Sequence, residues 1–422
     1  MTVPAIDSFI GMEVYSTDIQ GIDGSIKRAT DQFIVEELLD NVSLDLKEVS
    51  DDQHVYPLYL LQKEGVDSSH AIKETELATG LKFKAVGLKD AKATTKQYVS
   101  SARKRKDARE HIVTKHCALD LVGYTIRPIT KGNLVGNRFT ITVTGFTCDN
   151  DDLERNISAL EEKIQGNRIA NFYGYQRFGS SRAVTHLVGR EIVKRNFKEA
   201  VELFLCHPGR YDNKETIEIR EACKDYSNFP KVLKIMPEQM DLERVLLQEL
   251  ASSNDPIKAL RKLPITIRRL FVQAYQSYLF NRSLSKAIKE GYDIGSARNG
   301  DVCLHVESNN IVGIRRFSDN VTAMQLPAMP IVGYAFRDNN RFSSIANNVL
   351  EEEGIHKNDF HVKEMQELSV EGGFRSMSLL CSQFSHVLDK SLQLGFVLYK
   401  GCYATVLLRE LMKPADPIAV GF

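Results

Sequence analysis

The chain has 422 residues, with 55 Lys and Arg against 55 Asp and Glu, for a formal net charge of +0 at pH 7. That balance excludes a bulk polyelectrolyte, so any contact with nucleic acid must come from local basic patches. A hydrophobic share of 43% with 26% charged residues excludes a disordered chain, and the length allows two or three domains, since single cores rarely outgrow ~250–300 residues.

The first 150 residues read as short strands joined by turns. Residues 54–61 are apolar and aromatic-rich, bounded by Asp51-Asp52 and by Lys63-Glu64-Gly65. A short helix follows, with Asp67 or Ser68 as N-cap, Ala71, Ile72 and Leu77 facing inward, and Gly80 past its end. Residues 81–86, 118–122 and 136–143 alternate as half-buried strands do. At Asp151 the texture turns helical: Leu153, Ile157, Leu160 and Ile164 repeat at helical spacing and stop before Gly166. Helical patterns continue over 192–205, 242–251 and 268–287. A looser run of strands and turns passes through 300–302, 311–313 and 329–332. Strand texture returns near Arg375, in 377–380 and 393–398. This order, β-rich, then helical and mixed, then β-rich, predicts one domain inserted in another.

Several common chemistries lack their residues. There is no Cys-x-x-Cys among the seven cysteines, no phosphate-binding Gly-x-x-x-x-Gly-Lys-Ser/Thr loop, no Gly-x-Gly-x-x-Gly and no His-Glu-x-x-His. Metal and nucleotide cofactors are therefore not expected, and free thiols point to a reducing compartment. The N-terminus has no basic region followed by an apolar run, and no apolar stretch nears the ~18 residues of a membrane span. The expected setting is the cytoplasm.

One loop stands out, Gly87-Leu88-Lys89-Asp90-Ala91-Lys92, at the end of the 81–86 strand. It offers one carboxylate, Asp90, between two ammonium groups, which suits nucleophilic or general-base work. The plain alternative is a turn aspartate bonding its own backbone. Arg103-Lys104-Arg105-Lys106, with Arg109, follows closely and forms a candidate phosphate-binding run. Arg177, Arg182, Arg190 and Lys194 make a second candidate group.

The loop resembles the catalytic Gly-x-Lys-Asp element of the TruD family of tRNA pseudouridine synthases, and four further segments match that family in order. Phe33-Ile34-Val35-Glu36-Glu37 resembles its Phe-x-Val-x-Glu, and Gly136-Asn137-Arg138-Phe139 its Gly-Asn-x-Phe. Residues 171–179, Asn-Phe-Tyr-Gly-Tyr-Gln-Arg-Phe-Gly, are similar to its Asn-Tyr-Phe-Gly-x-Gln-Arg-Phe-Gly block. Residues 401–411 are similar to its Ser-Phe-Ala-Thr-x-x-x-Arg-Glu-Leu element.

The resemblance implies an α+β fold: a pseudouridine synthase core with a mixed, mainly antiparallel sheet, at residues 1–166 and 375–422, interrupted by a large α+β insertion at 167–374. It implies isomerisation of uridine to pseudouridine in tRNA, at position 13, with no cofactor, no metal and no obligatory protein partner. Asp90 would be the nucleophile and Lys27 the active-site lysine. Phe33 and Phe139 would flank the flipped base, and Asn137, with both a donor and an acceptor, would read the uracil edge. Tyr403 stands where the family usually has Phe and adds a hydroxyl needing a partner if buried. Arg103, Lys104, Arg105, Arg177, Arg182 and Arg190 would supply cations for RNA, with Gln176-Arg177 also readable as a structural hinge. Two other outcomes stay open: a non-catalytic RNA-binding protein on this fold, and a nucleoside glycosidase, for which no second catalytic carboxylate is evident.

Overall fold

Along Phe33–Leu39 the buried side chains alternate, Phe33, Val35 and Glu37, the period-two pattern of a strand with one covered face. The structure, a computed structural model, describes residues 2–40, 55–87, 89, 93–103, 108–179, 181–307 and 310–422. Among them the chain divides into two compact units: residues 19–165 with 380–421, and residues 1–18, 166–379 and 422.

The first of these units is built on a nine-stranded sheet. Its order is Cys381–Leu388, Leu392–Tyr399, Leu134–Val143, Phe33–Leu39, Thr94–Ser101, Tyr56–Lys63, Cys117–Thr125 and His111–Val113, with Phe83–Ala85 also paired to Thr94–Ser101. Phe33–Leu39 runs parallel to Thr94–Ser101; every other pairing is antiparallel. This is an α+β fold with a mixed, mainly antiparallel sheet. A glycine is required at 136, where an added Cβ would lie 2.2 Å from the Leu398 carbonyl oxygen and 2.9 Å from Tyr399 Cα.

Helix Asn150–Gln165 buries Leu153, Ile157, Leu160 and Ile164, as its spacing predicts, and packs on helix Ala404–Met412. In the latter, Arg409 Nη1 lies 3.0 Å from Glu410 Oε1, with both side chains almost wholly out of water. Helix Ser68–Thr79 starts where expected: the Asp67 carboxylate accepts from Ser69 N at 2.9 Å and His70 N at 3.2 Å, and Gly80 closes the other end in the left-handed conformation. Its inward face holds Ala71 as expected, with Ile72 packed at the edge of the core, and departs from expectation at Leu77. Ser68, Ala71 and Thr75 are buried, whereas Leu77 is 79% exposed. Two residues beyond Thr75 is about 200° around a 3.6-residue helix, so Leu77 cannot share that face.

The second unit carries a helical core formed by Thr185–Val193, Phe197–Cys206, Asp241–Ser253, Pro256–Lys262 and the long Ile265–Lys289. A four-stranded sheet, in the order Gly373–Ser376, Met324–Ile331, Val302–Glu307 and Asn310–Arg316, belongs to the same unit. The 192–205 pattern is two helices, because Arg195 breaks the chain with φ 66° and Asn196 N donates to Glu191 O at 2.8 Å. Residues 377–380, read as strand, form only the isolated bridge Ser378–Ala170, and helix Ser343–Glu353 sits where strands and turns were expected. The chain start also packs in this unit. Tyr175 Oη donates to the buried Asp7 at 2.7 Å, Asn281 Nδ2 to Ile10 O at 3.0 Å, and Ser285 Oγ to Gly11 O at 2.8 Å.

Candidate active site

Residues facing each other across antiparallel strands share a sheet face, and three such pairs build this site. Phe33 opposes Ile141, Val35 opposes Phe139, and Glu37 opposes Asn137. The next strand places Phe396 opposite Phe139 and Leu398 opposite Asn137. Phe33 and Phe139 meet edge to face, centroids 6.2 Å apart, and Phe139 stacks on Phe396 at 5.4 Å. One end of this face is aromatic. The other is polar.

At the polar end the Glu37 side chain is fully buried and its Oε2 accepts from Tyr98 N at 2.9 Å. Its Oε1 lies 2.9 Å from Lys89 Nζ, and the same ammonium donates to Asn137 Oδ1 at 2.8 Å. The Lys89 backbone is held on both sides by the first residue of helix Ser68–Thr79: Lys89 N donates to Ser68 Oγ at 2.8 Å, and Ser68 N to Lys89 O at 3.2 Å. Ser68 Oγ in turn donates to the buried Gln97 Oε1 at 2.6 Å. The loop from Gly87 is thereby fixed at Lys89. Leu88, Asp90, Ala91 and Lys92 lie outside the described residues, as do Lys104 and Arg105.

Lys27 reaches the aromatic end, its Nζ 4.4 Å from the centroid of Phe33, a cation–π contact. Its backbone is left-handed, φ 57°, a conformation an L-residue takes when its neighbours impose it. Those neighbours are visible: Ser25 pairs with Thr144 through N–O distances of 2.8 and 3.0 Å, and Ile26 N donates to Val420 O at 2.9 Å. Tyr403 is the half-buried N-cap residue of helix Ala404–Met412. Its turn begins beside the Asn137 strand, where Tyr399 pairs with Gly136 and Lys400 N donates to Val135 O at 2.9 Å.

The family profile described as tRNA pseudouridine synthase D (TruD) matches residues 9–411. The chain belongs to the TruD family. An Archaeoglobus fulgidus protein described as "Probable tRNA pseudouridine synthase D" is 31% identical, with 96% of this chain and 98% of that protein covered. A Thermococcus sibiricus protein of the same description is 32% identical, covering 94% and 97%. The crystal structure of a Methanosarcina mazei protein described as "Putative tRNA pseudouridine synthase D (TruD)" superposes with a TM-score of 0.80 at 28% identity, covering 99% of each chain.

The cations of this TruD chain fall in separate environments. Arg103 is exposed, with its backbone N bonded to Ser101 Oγ at 3.1 Å. In the other unit, Arg177 Nε donates to Ser277 Oγ at 3.1 Å, and the side chain lines a cleft of about 540 Å³ with Tyr173, Arg269 and Glu371. Arg190 pairs with Glu191 at 2.7 Å. Arg182 is different: 12% of its side chain is exposed, and it donates to Phe204 O at 2.9 Å and to Glu243 Oε1 at 3.3 Å. Burial, reinforced by nearby Arg220, pushes its pKa down to about 10. The Arg182 guanidinium is thus committed to protein carbonyls and a carboxylate, not turned outward to a phosphate.

Sequence reasoning gave no site role to Gln97, to Ser68 beyond a candidate N-cap or to Glu37 beyond its place in the Phe-x-Val-x-Glu element, and took Lys89 only as a cation beside Asp90. A signal for Glu37 was present: Phe33, Val35 and Glu37 at i, i+2 and i+4 put an acid on the buried face. The partner of that acid, 52 positions later by 89 minus 37, was not readable. No helix among the described residues is long and apolar enough to cross a membrane, and none of their His, Cys, Asp and Glu side chains gather in threes as a metal site.

Proposed function

We propose that this TruD chain isomerises uridine to pseudouridine in tRNA, at position 13, in the cytoplasm and without an obligatory protein partner. The observation that carries the reading is the fixed Lys89, anchored by Glu37 and Asn137 beside the Phe33–Phe139 pair, in a chain whose family match spans residues 9–411. Asp90 is the next residue after Lys89 in the sequence. Residues 1–166 and 375–422 are assigned as the catalytic core and 167–374 as the inserted domain; the compact units differ from these bounds in that residues 1–18, 166, 375–379 and 422 fall with the second unit.

In the reaction the C1′–N1 bond breaks, the uracil turns, a C5–C1′ bond forms, the C5 proton leaves and N1 gains one. The balance is redox-neutral, so the chemistry itself asks for no cofactor. Asp90 supplies the nucleophilic carboxylate. Lys27 favours its ionised form, Phe33, Phe139 and Tyr403 hold the extruded base by stacking, and Asn137 meets its polar edge. Arg103, Lys104, Arg105, Arg177 and Arg190 are the cations assigned to the RNA backbone.

The test is pseudouridine formation in a pre-folded tRNA transcript. Asp90→Asn is expected to abolish it while tRNA affinity stays within a few-fold, and Lys27→Met to lower it less completely. Near-wild-type turnover in Asp90→Asn would remove Asp90 from the mechanism. A wild-type protein that binds tRNA and forms no pseudouridine would be an RNA-binding protein on this fold, and release of free uracil would mark a glycosidase.

A further inference from the structure

The Asn137 side chain can face a base with either its amide oxygen or its amide nitrogen, and the structure contains the groups that decide between them. An ammonium has three donors and no acceptor, so the Asn137 atom 2.8 Å from Lys89 Nζ is necessarily the oxygen. Lys89 cannot turn away. Its ammonium is 2.9 Å from a carboxylate whose side chain is wholly buried, and its backbone is bonded at both N and O to Ser68. Glu37 is fixed in turn by Tyr98 N and by lying directly opposite Asn137 in the strand pair. A buried ion pair of this kind contributes little net stability, because desolvation offsets its Coulomb energy. What it does impose is direction.

Asn137 is half-buried, and its Nδ2 group has no hydrogen-bond partner among the described residues. We propose that Glu37 and Lys89 are positioning residues that lock the Asn137 amide with Nδ2 outward, so that the site offers the base a donor and selects a carbonyl over an amino group. The inference rests on the uridine reading above and extends it. Uracil carries carbonyl oxygens at C2 and C4, whereas cytosine keeps the C2 carbonyl and carries an amino group at C4; an outward Nδ2 that faces the C4 position would meet that amino group donor to donor. Specificity of this type is strong because a mismatched partner leaves a desolvated polar group unpaired.

The experiment compares tRNAs whose target uridine is replaced in turn by 2-thiouridine and 4-thiouridine, sulfur being the weaker acceptor. Both kcat/KM for isomerisation and the dissociation constant are measured. The wild type is expected to prefer uridine over one analogue by roughly tenfold, the scale of one hydrogen bond. Lys89→Met, which frees the amide to turn, and Asn137→Ala should each bring that ratio to within about twofold, with Glu37→Gln in between. A purely structural role would lower all substrates in proportion and keep the ratio, and a Lys89→Met variant that retains the wild-type ratio overturns the proposal. So does a wild type that discriminates neither analogue. If the wild type forms no pseudouridine, the activity reading fails by itself, and the ratio of dissociation constants still tests the donor assignment.

Discussion

His186 is 2% exposed, with ring centroids 5.1 Å from Phe9, 5.3 Å from Phe178 and 5.1 Å from Tyr278. Burial first, then the charge of Arg190, push its pKa from 6.5 down to about 3. Between those values the unfolded chain binds the proton and the folded chain does not. Stability is therefore intact above about pH 6.5 and falls as the pH drops toward 3. His186→Phe keeps a ring among the three aromatic neighbours and removes the titration. The expected result is a flatter acid limb, by up to about 1.4 kcal/mol per pH unit, in urea midpoints taken between about pH 6.5 and pH 4. An unchanged slope would mean that other groups set the acid limb. Nothing in the sequence marked His186, since its aromatic neighbours come from three separate segments.

Helices Thr185–Val193 and Ile265–Lys289 approach closely through Gly189, where an added Cβ would stand 1.9 Å from the Phe271 carbonyl oxygen and 2.5 Å from its carbon. The obstacle is backbone, so it cannot move aside as a flexible side chain would. Gly189→Ala, favourable for an isolated helix, is expected to cost at least about 1–3 kcal/mol here by overpacking. A denaturant midpoint equal to wild type would show that the helices can separate without loss. Element identity was legible wherever one face was repeatedly apolar, as in Asn150–Gln165. Boundaries failed where periodicity ran across a break: the apolar rhythm of 192–205 continues through Arg195, yet that residue turns left-handed and its guanidinium donates to the Asp359 carbonyl oxygen at 2.7 Å.

For the whole molecule, a net charge of +0 makes the distribution of cations decide how RNA is held. Charge reversal at Arg103, Lys104 and Arg105 is expected to weaken tRNA binding and flatten its salt dependence, each lost phosphate contact lowering the slope by roughly 0.7–0.9. Arg182→Glu is expected to behave oppositely. It sets a new carboxylate against Glu243 and leaves the Phe204 and His207 carbonyls without their donor, so thermal stability falls. Affinity across a salt series, with thermal unfolding as the control, separates the two: a stable Arg182→Glu protein with a flatter slope would return Arg182 to the RNA-binding set.

By itself the sequence determined the order of β-rich and helical segments, the loop worth attention and, through five short motifs, the TruD resemblance that implied the α+β class, because alternation, helical spacing and short ordered motifs are local properties of the chain. Tertiary structure decided which polar groups meet. The pairing of Glu37 with Asn137 follows from strand register, and the arrival of Lys89 between them from two hydrogen bonds to a helix start some twenty residues earlier. The same holds for Arg182, whose charge reads alike in sequence whether it faces solvent or Glu243. Register, burial and long-range hydrogen bonds depend on how segments far apart in the chain come together, and no local pattern encodes the partner.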